Sequence, residues 1–380
     1  MQRRSFIRKT GLITLGLSLA EKAALAAARL PYSNKLPKWK GFNLLDFFSP
    51  DPQPVMRPSV EDHFKWMEDW GFNFIRLPIA YPHYLKFDRS RNILPEEVYH
   101  TDEEKLEEID RLVALAHKHN MHVSLNLHRA PGYCVNAGFH EPYNLWTDQA
   151  AQDAFYFHWS LWARRYKNVS PEKISFDLLN EPSMRDDMND QHSRAVPVPG
   201  DSYRKVAMNA AQAIRKENSR HLVIADGNNM GNSIIPEILD LDIAQSCRGY
   251  YPHAISHYKA PWANKDPDHL PEPLWPGLVG NQYLGREMLE VYYKPWIGLV
   301  QKGVGVHCGE CGCWNKTPYD VFIAWFTDVV DILSAYDIGF APWNFIGDFG
   351  VLDSGRTDLA YEDWYGHKLD RKFLNLLREH

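Results

Sequence analysis

The strongest constraint on the fold of this chain is a regular alternation of short apolar segments and helical patterns. Eight apolar segments follow one another from Lys40 onward: KGFNLLDFF, FNFIRLPI, HVSLNLH, ISFDLLNEP, HLVIADGNN, QSCRGYYP, GVGVHCGE and GFAPWNF. Strands that are apolar along their whole length and alternate with helices are typical of a buried parallel sheet. Eight such units, the last followed by a helix around residues 369–377, predict a (β/α)8 TIM barrel.

The segments between these strands carry helix signals. Thr101 and Glu104 have the spacing of a capping box, and the apolar residues after them recur on one helical face. An open doubly wound sheet is the alternative architecture, but it normally places a glycine-rich phosphate loop after its first strand, and GFNLLDFF has none. The 380 residues contain no linker, charge block or internal repeat, so we expect residues 29–380 to form a single domain.

The first 28 residues have the organisation of an export signal. MQRRSFIRKT is basic, GLITLGLSLA is apolar but too short to span a bilayer, and ALAAA offers small residues for cleavage. The Arg3-Arg4 pair with Phe6 and Lys9 resembles a twin-arginine signal. An ordinary secretory signal with a chance arginine pair is the alternative. We expect an exported protein, periplasmic or secreted, with no membrane anchor after processing.

The charge of the mature chain argues against anionic partners. Removal of residues 1–28 takes away five basic side chains and one acidic side chain, which changes the formal charge from −6 to −10. Nucleic acids and anionic membrane surfaces repel an acidic protein, so neither is expected as a partner. We expect the mature protein to act as a monomer on a neutral substrate.

Polar residues stand at the carboxyl ends of the predicted strands, where the active site of a barrel lies. Glu181 follows the fourth strand and Glu310 ends the seventh, and both should project over the barrel mouth. Pro182 should bias Glu181 toward an extended backbone and end the strand there. Other polar or aromatic residues occupy corresponding strand ends: Arg76, His128, Asn180, Asp226, Arg248, Tyr250 and Trp343. So many residues at equivalent positions predict one shared site.

A pair of carboxyl groups is the arrangement that glycoside hydrolysis requires. One must stay protonated to donate to the leaving oxygen, while the other must stay ionised to attack the sugar or to activate water. Arg76 is a suitable partner for the ionised carboxylate, because a nearby guanidinium favours that form. The sequence therefore predicts an enzyme that uses Glu181 and Glu310 and needs no metal or other cofactor.

These motifs resemble glycoside hydrolase family 5, the cellulase family of the clan A barrels, from roughly Lys40 to the C-terminus. The matching segments are FIRLP, NLHRAPG, LLNEP, the tyrosine of RGYYP with SHY after it, GE and PWNF. The resemblance implies a retaining mechanism, in which Glu181 is the acid/base and Glu310 is the nucleophile.

The resemblance also implies roles for the residues around the two glutamates. The implied substrate-binding set is Arg76, His128, Asn180, Tyr250, His257 and Trp343. Asn180 would hold the 2-hydroxyl of the sugar being cleaved, and His128 would contact the same sugar. Arg76 and Tyr250 would orient the nucleophile. Trp343 would form an apolar floor, because the C–H face of a sugar packs on an aromatic ring.

One departure from the family pattern lies two residues before Tyr250. The family often has a histidine there, and this chain has Arg248. One expectation is that Arg248 points away from Glu181 and is held by an acid such as Asp226. The preferred expectation is that it binds substrate, because an arginine fork can donate to two sugar hydroxyls or to a carboxylate.

A second departure is the segment CGECGC, which places three cysteines around Glu310. Zinc needs four ligands, so a metal site is not expected. The chain has five cysteines, and an odd number excludes complete intrachain pairing. We expect Cys308 to share the inward face with Glu310 as a small core residue. Cys247 should point to the opposite face, so these two cysteines should be poorly placed to bond.

The expected substrate is a plant-type β-glucan or a related polysaccharide, and the expected activity is that of a cellulase or endoglucanase. The alternatives within the class are exo action, or specificity for mannan, xyloglucan, β-1,3-glucan or short glycosides. A non-catalytic carbohydrate-binding barrel is a rival from another class, but it would lack one of the two glutamates. A CxxC redox protein is a third alternative and would need an exposed thiol of low pKa. Fold analogy leaves the sugar and the linkage open.

Overall fold

The computed structural model describes residues 33–51, 58–135, 141–187 and 193–380, and the predicted export signal lies outside them. Eight strands pair in parallel, each with the next along the chain. The strands are β1 (Gly41–Asn43), β2 (Phe74–Ala80), β3 (His122–Ala130), β4 (Ile174–Asp177), β5 (Leu222–Asp226), β6 (Ala244–Gly249), β7 (Val306–Cys311) and β8 (Gly339–Pro342). The predicted (β/α)8 barrel is confirmed, with one strand in each predicted segment.

The sheet closes on itself between its first and last strands. Lys40 forms a parallel bridge with Phe340 on β8, and the Phe340 amide donates to the carbonyl oxygen of Trp39. The side chain of Asn34 pairs with the backbone of Val306 on β7, through Nδ2 (2.6 Å) and Oδ1 (3.0 Å). The residues that precede β1 therefore seal the seam of the barrel.

In the described part of the chain, seven helices of nine or more residues cover the outside of the sheet. They are α1 (Glu61–Asp69), α2 (Glu103–Lys118), α3 (Gln149–Arg165), α4 (Gly200–Glu217), α5 (Arg286–Gln301), α6 (Tyr319–Ala335) and α7 (Arg371–Glu379). The connection from β5 to β6 has no helix of this length. It contains only the short turns Asn228–Gly231 and Pro236–Ile238, so the alternation of strand and long helix is interrupted once.

Smaller elements lie in the loops. One-turn helices span Tyr81–Tyr84, Glu97–Tyr99, His253–Ser256 and Pro267–His269, and Tyr133–Cys134 pairs with the end of β3. Three antiparallel hairpins join Met184–Arg185 with Ala195–Val196, Gly277–Val279 with Gln282–Leu284, and Glu362–Trp364 with His367–Leu369. Most of these elements follow the carboxyl ends of strands, so they build the rim around the barrel mouth.

Two helices begin later than the sequence pattern predicts. The N-cap of α2 is Asp102, whose side chain accepts from the backbone N–H of Glu104 (3.1 Å), and Thr101 lies outside the helix. The N-cap of α7 is Asp370, which accepts from Phe373 N (2.9 Å). An aspartate fits an N-cap well, because its carboxylate accepts a free N–H and complements the positive end of the helix.

An apolar floor fills the amino end of the barrel. The ring of Trp39 stacks on His122 with centroids 3.9 Å apart, and His307 packs against Phe74 at 4.6 Å. Burial lowers the pKa of both histidines to about 3, so they are neutral and pack as aromatic rings. A layer of packed aromatic rings therefore lies beneath the polar residues of the barrel mouth.

Among the described residues, no helix is both long enough and apolar enough to cross a bilayer.

Candidate active site

Glu181 and Glu310 hydrogen-bond the same guanidinium at the carboxyl end of the barrel. Nε of Arg248 donates to Oε1 of Glu181 (3.0 Å), and its Nη2 lies 3.3 Å from Oε1 of Glu310. Arg248 is on β6, Glu310 is on β7, and Glu181 follows β4. The structure thus brings together the two carboxyl groups that the sequence singled out.

A register shift in β7 places Glu310 inside the barrel. The pairing of β7 with β6 skips Gly309, so that Cys308 opposes Cys247 and Glu310 opposes Arg248. A Cβ at Gly309 would lie only 2.5 Å from Oγ of Ser246, so only glycine lets the strands approach this closely. The extra residue turns the side chain of Glu310 toward the interior.

Three donors converge on the carboxylate of Glu310. Arg76 Nη1 donates to Oε1 (2.6 Å), and Tyr250 donates its hydroxyl to Oε2 (3.2 Å), in addition to the contact with Arg248. Burial, followed by the charge of Glu310, raises the pKa of Tyr250 well above its usual value, so its hydroxyl keeps the proton that it donates. Two guanidiniums and one hydroxyl therefore surround the carboxylate with hydrogen-bond donors.

Arg76 links the two sides of the barrel mouth. Its side chain is 1% exposed, and Nε donates to Asp177 (2.7 Å) while Nη1 also donates to Asn43 (3.1 Å). Its Nη2 donates to Asn180 (3.0 Å). The contact with Glu310 is the one that an orienting role requires, and the other bonds fix the guanidinium in place.

Glu181 has a backbone conformation that the sequence did not predict. Its φ angle is 49°, in the left-handed region, whereas Pro182 led us to expect an extended backbone. Strand β4 ends at Asp177, four residues earlier. The Glu181 amide donates to Asp226 Oδ2 (3.0 Å), and its carbonyl accepts from the hydroxyl of Tyr133 (2.5 Å). These two bonds compensate for a conformation that non-glycine residues seldom adopt.

The environment of the Glu181 carboxyl favours its protonated form. The side chain is 19% exposed and receives one donor, the Nε of Arg248. Burial, followed by the nearby charge of Glu310, raises the pKa of Glu181 to about 7, against the opposing effect of Arg248. The surroundings of Glu181 therefore differ from those of Glu310, which has three hydrogen-bond donors around its carboxylate.

Asn180 is oriented by both arginines. Its Oδ1 accepts from Nη2 of Arg76 (3.0 Å) and from Nη2 of Arg248 (2.9 Å), which identifies the oxygen of the amide. Its Nδ2 is buried and has no partner among the described residues. The side chain is therefore positioned to donate a hydrogen bond to a ligand.

Two groups of aromatic rings lie at the carboxyl ends of the strands. His128 packs between Phe48 (4.7 Å between centroids) and Trp343 (5.5 Å). On the other side, the ring of His257 packs edge-on against Tyr250 at 5.0 Å. Burial lowers the pKa of His257 to about 3, so this ring is neutral. His257 makes no hydrogen bond to either glutamate and reaches the site only through Tyr250.

Beyond His257 the aromatic surface continues outward. Trp262 packs edge-on against Trp314 with centroids 4.6 Å apart, and Phe349 lies within 6.4 Å of both rings. Trp262 is 38% exposed, whereas Phe349 is buried. These rings extend the apolar wall from Tyr250 to the surface of the mouth.

The first expectation for Arg248 is right about its partner Asp226 and wrong about its direction. Arg248 contacts Glu181 directly, so the expectation that it points away is wrong. It is also held by Asp226, which receives Nη1 at 3.0 Å and an additional close contact from Nη2. The guanidinium is 1% exposed and is surrounded by protein acceptors, so its geometry does not support direct contact with a substrate.

Three buried residues of the network were missed or undervalued at the sequence level. Asp177 and Asn43 contact Arg76, and Asp226 contacts both arginines. The sequence pattern predicts Asp226 only as a rim residue and as a possible partner of Arg248. The available signal was a polar residue at an inward position of an otherwise apolar strand.

The cysteines are arranged differently from the prediction. Cys308 and Cys247 are register partners on β7 and β6, and both face the outer layer near Tyr293 of α5. The expected inward position of Cys308 is wrong, because the shift at Gly309 turns it away from Glu310. All five cysteines are free, and the Cys308 thiol donates to the backbone carbonyl of Glu310 (3.4 Å). Within the described ranges, no group of three or more His, Cys, Asp or Glu side chains is arranged to hold a metal ion.

Comparisons with known proteins agree with this geometry. The family model for cellulase, glycosyl hydrolase family 5, matches residues 32–348. Endoglucanase C from Acetivibrio thermocellus is 26% identical over 328 residues, which cover 80% of this chain and 89% of the relative. Cellodextrinase A from Ruminococcus flavefaciens is 25% identical over 283 residues, which cover 73% and 76% respectively.

A solved structure shows the same fold at higher identity. The crystal structure of a glycoside hydrolase superposes with a TM-score of 0.80 and is 37% identical in sequence. The match covers 90% of this chain and 99% of that chain, so the similarity includes nearly all of the barrel and its loops.

Proposed function

Because this chain belongs to glycosyl hydrolase family 5, the cellulase family, we propose that it hydrolyses β-glycosidic bonds of a glucan-type polysaccharide by double displacement. Glu181 is the acid/base and Glu310 is the nucleophile. The observation that carries this proposal is that one guanidinium contacts both carboxyl groups while their surroundings differ. Three donors support the charge of Glu310, whereas burial raises the pKa of Glu181 to about 7.

The first half of the reaction forms a covalent glycosyl-enzyme. The carboxylate of Glu310 attacks the anomeric carbon, and the glycosidic C–O bond breaks as Glu181 gives its proton to the leaving oxygen. In the second half, the Glu181 carboxylate takes a proton from water as the water oxygen attacks the same carbon. The bond to Glu310 then breaks, and two inversions give net retention.

The surrounding residues supply contacts to the sugar. The free Nδ2 of Asn180 is suited to donate to the 2-hydroxyl, because its Oδ1 is already held by two arginines. Trp343 and His128 pack together and are suited to hold the apolar face of the same sugar. Tyr250 and His257 continue this surface on the opposite side.

The substrate and the mode of action within the family are a separate part of the proposal. Endo action on a β-1,4-glucan is preferred, since the chain is similar to an endoglucanase over 89% of that relative's length. Exo action or another polysaccharide is the alternative, and another relative is named a cellodextrinase. A non-catalytic carbohydrate-binding barrel fits less well, because the acid and the nucleophile are both present and in contact with one arginine. The basic and apolar pattern of residues 1–28 supports export as the cellular setting.

The division of roles is tested with Glu181→Ala and Glu310→Ala on an activated aryl glycoside. Such a leaving group needs no proton, so Glu181→Ala should retain glycosylation, lose deglycosylation, and recover turnover when azide replaces the base-activated water. Glu310→Ala should be nearly inactive on every substrate and should give no azide product of retained configuration. Glu290→Ala, which removes an exposed partner of Arg286 on α5, is the matched control and should behave as wild type. Exchanged phenotypes would show that the roles are reversed.

A further inference from the structure

Asp226 lies at the centre of the buried network and is not itself a candidate acid or nucleophile. It ends β5, its side chain is 0% exposed, and its two oxygens take the Nη1 and Nη2 donors of Arg248 in a bidentate pair. Arg76 Nη2 lies 3.4 Å from the same carboxylate. Two guanidiniums thus converge on one carboxylate beneath the site.

Asp226 reaches Glu181 by two routes. Its Oδ2 accepts the backbone N–H of Glu181 (3.0 Å), which supports the left-handed conformation of that residue. Through Arg248 it also determines the direction of the Nε donor that contacts the Glu181 carboxyl at 3.0 Å. A bidentate carboxylate–guanidinium pair is a rigid unit, so the Nε cannot turn away while the pair is intact.

We propose that Asp226 is a positioning residue that holds Arg248 against Glu181 and neutralises the charge of that arginine, so that Glu181 can keep its proton. The inference rests on the proposed acid/base role of Glu181. It explains how the site can use Arg248 at a position where the family often has a histidine. Without its partner, a fixed positive charge 3.0 Å from the acid would stabilise the carboxylate and remove the proton that the reaction needs.

The charged and titratable groups around this unit come from every element packed against it. They are Arg76 on β2, Asp177 on β4, Glu181 after β4, Arg248 on β6, Tyr250 after β6, Glu310 on β7 and three tyrosines that donate to backbone carbonyls. The tyrosines are Tyr203 on α4 (to Asp226), Tyr133 after β3 (to Glu181) and Tyr293 on α5 (to Arg248). Four carboxyl groups therefore share two guanidiniums. The group is neutral only when two of the four carboxyls carry protons.

The titration behaviour agrees with this division of charge. Burial alone would raise the pKa of Asp226, but the charges of Arg248 and Arg76 bring it below the usual value. Burial, followed by the charge of Glu310, raises the pKa of Glu181 to about 7. Burial, followed by the charge of Asp226, raises the pKa of Asp177 to about 7. The surroundings of Glu181 and Asp177 therefore favour their protonated forms, whereas those of Asp226 favour its carboxylate beside Arg248.

The sign of the expected effect follows from the role of Glu181. The acid is active while it is protonated, so kcat/KM falls as the pH rises through its pKa, and this fall is the alkaline limb. Asp226→Asn leaves Arg248 without its counter-charge, and the limb should move down by about 1–3 pH units. Arg248→Met removes a positive charge, and the limb should move up. The double variant removes both charges, so its limb should lie near that of wild type.

The experiment measures kcat/KM against pH for these three variants with an aryl glycoside of poor leaving ability, which requires protonation. With a dinitrophenyl glycoside the Asp226→Asn variant should lose far less activity. Asp110→Asn is the matched control, because Asp110 pairs with Arg165 on the outer helices, and its profile should not move. If Asp226→Asn does not fold, the upward shift of Arg248→Met and the return in the double variant decide the question.

The outcomes separate this inference from the proposed function. An unmoved alkaline limb in Asp226→Asn, with equal losses on both substrates, would mean that Asp226 is only structural. A limb that moves in the same direction in both single variants would also overturn the charge argument. Neither result affects azide rescue of Glu181→Ala, whereas absence of that rescue would refute the acid/base role itself.

Discussion

Replacement of Gly249 by alanine should disturb the site from the outside of the barrel. Gly249 ends β6, between Arg248 and Tyr250. A Cβ added there would lie 2.4 Å from Cβ of Cys311 and 3.2 Å from Sγ of Cys308, both on β7. The Gly249 backbone is not left-handed, so the space between the strands is the obstacle rather than the φ angle.

The size of the effect follows from this contact. Two carbon atoms prefer a separation of about 3.5–4.0 Å, so β6 and β7 would have to move apart by about 1 Å. Overpacking of this kind costs about 1–3 kcal/mol of the free energy of unfolding. The same movement carries Glu310 away from Arg248 and Tyr250, and a misplacement of about 1 Å can lower kcat by about 10²-fold.

The assay compares kcat, KM and Tm for Gly249→Ala with those of wild type and of Gly298→Ala. Gly298 lies in α5, where an added Cβ meets no atom within 4 Å, so alanine should leave activity unchanged and stabilise the helix slightly. Gly249→Ala should lower both Tm and kcat, with the smaller change in KM. Wild-type kcat and Tm in Gly249→Ala would refute the reasoning.

Two further predictions concern the chemistry. Retention requires the Glu181 and Glu310 carboxyls to lie about 5–5.5 Å apart in the substrate complex. NMR of the reaction should therefore show that the β anomer is released first. Initial release of the α anomer would indicate inversion and a wider separation. Cys311→Ser and Cys313→Ser should keep most activity at moderate temperature, although both thiols are buried, and chelators should not inhibit. Stoichiometric zinc in the purified protein would contradict the cysteine prediction.

The strands and their polar ends could be predicted from the sequence because both depend on local patterns. Each apolar segment became one barrel strand, and the carboxyl ends of parallel strands necessarily meet at one rim. For this reason the sequence could predict that Glu181, Glu310 and Arg76 lie close together. Their contacts follow from the closure of the sheet.

The failures share a different cause, since each depends on neighbours that are distant in the sequence. The alternation of side chains along a strand predicts that Cys308 points into the barrel with Glu310. Close packing of Gly309 on Ser246 shifts the register between β7 and β6, so that Cys308 points outward instead. Pro182 favours an extended Glu181, yet the bond from its amide to Asp226 holds it left-handed. No local pattern contains such information, because it arises only when β4, β5, β6 and β7 lie side by side.

The closure of the barrel has a consequence for the order in which the chain can fold. The seam joins Lys40 to Phe340, about 300 residues away, so this contact has a very large sequence separation. A growing chain can assemble β1 to β7 as they appear, but the sheet keeps two open edges until β8 has been synthesised. Open edges pair readily with other chains. The barrel is therefore most prone to aggregate before β8 has joined β1 and β7. Closure should also be slow, because it brings together two parts of the chain that are far apart in the sequence.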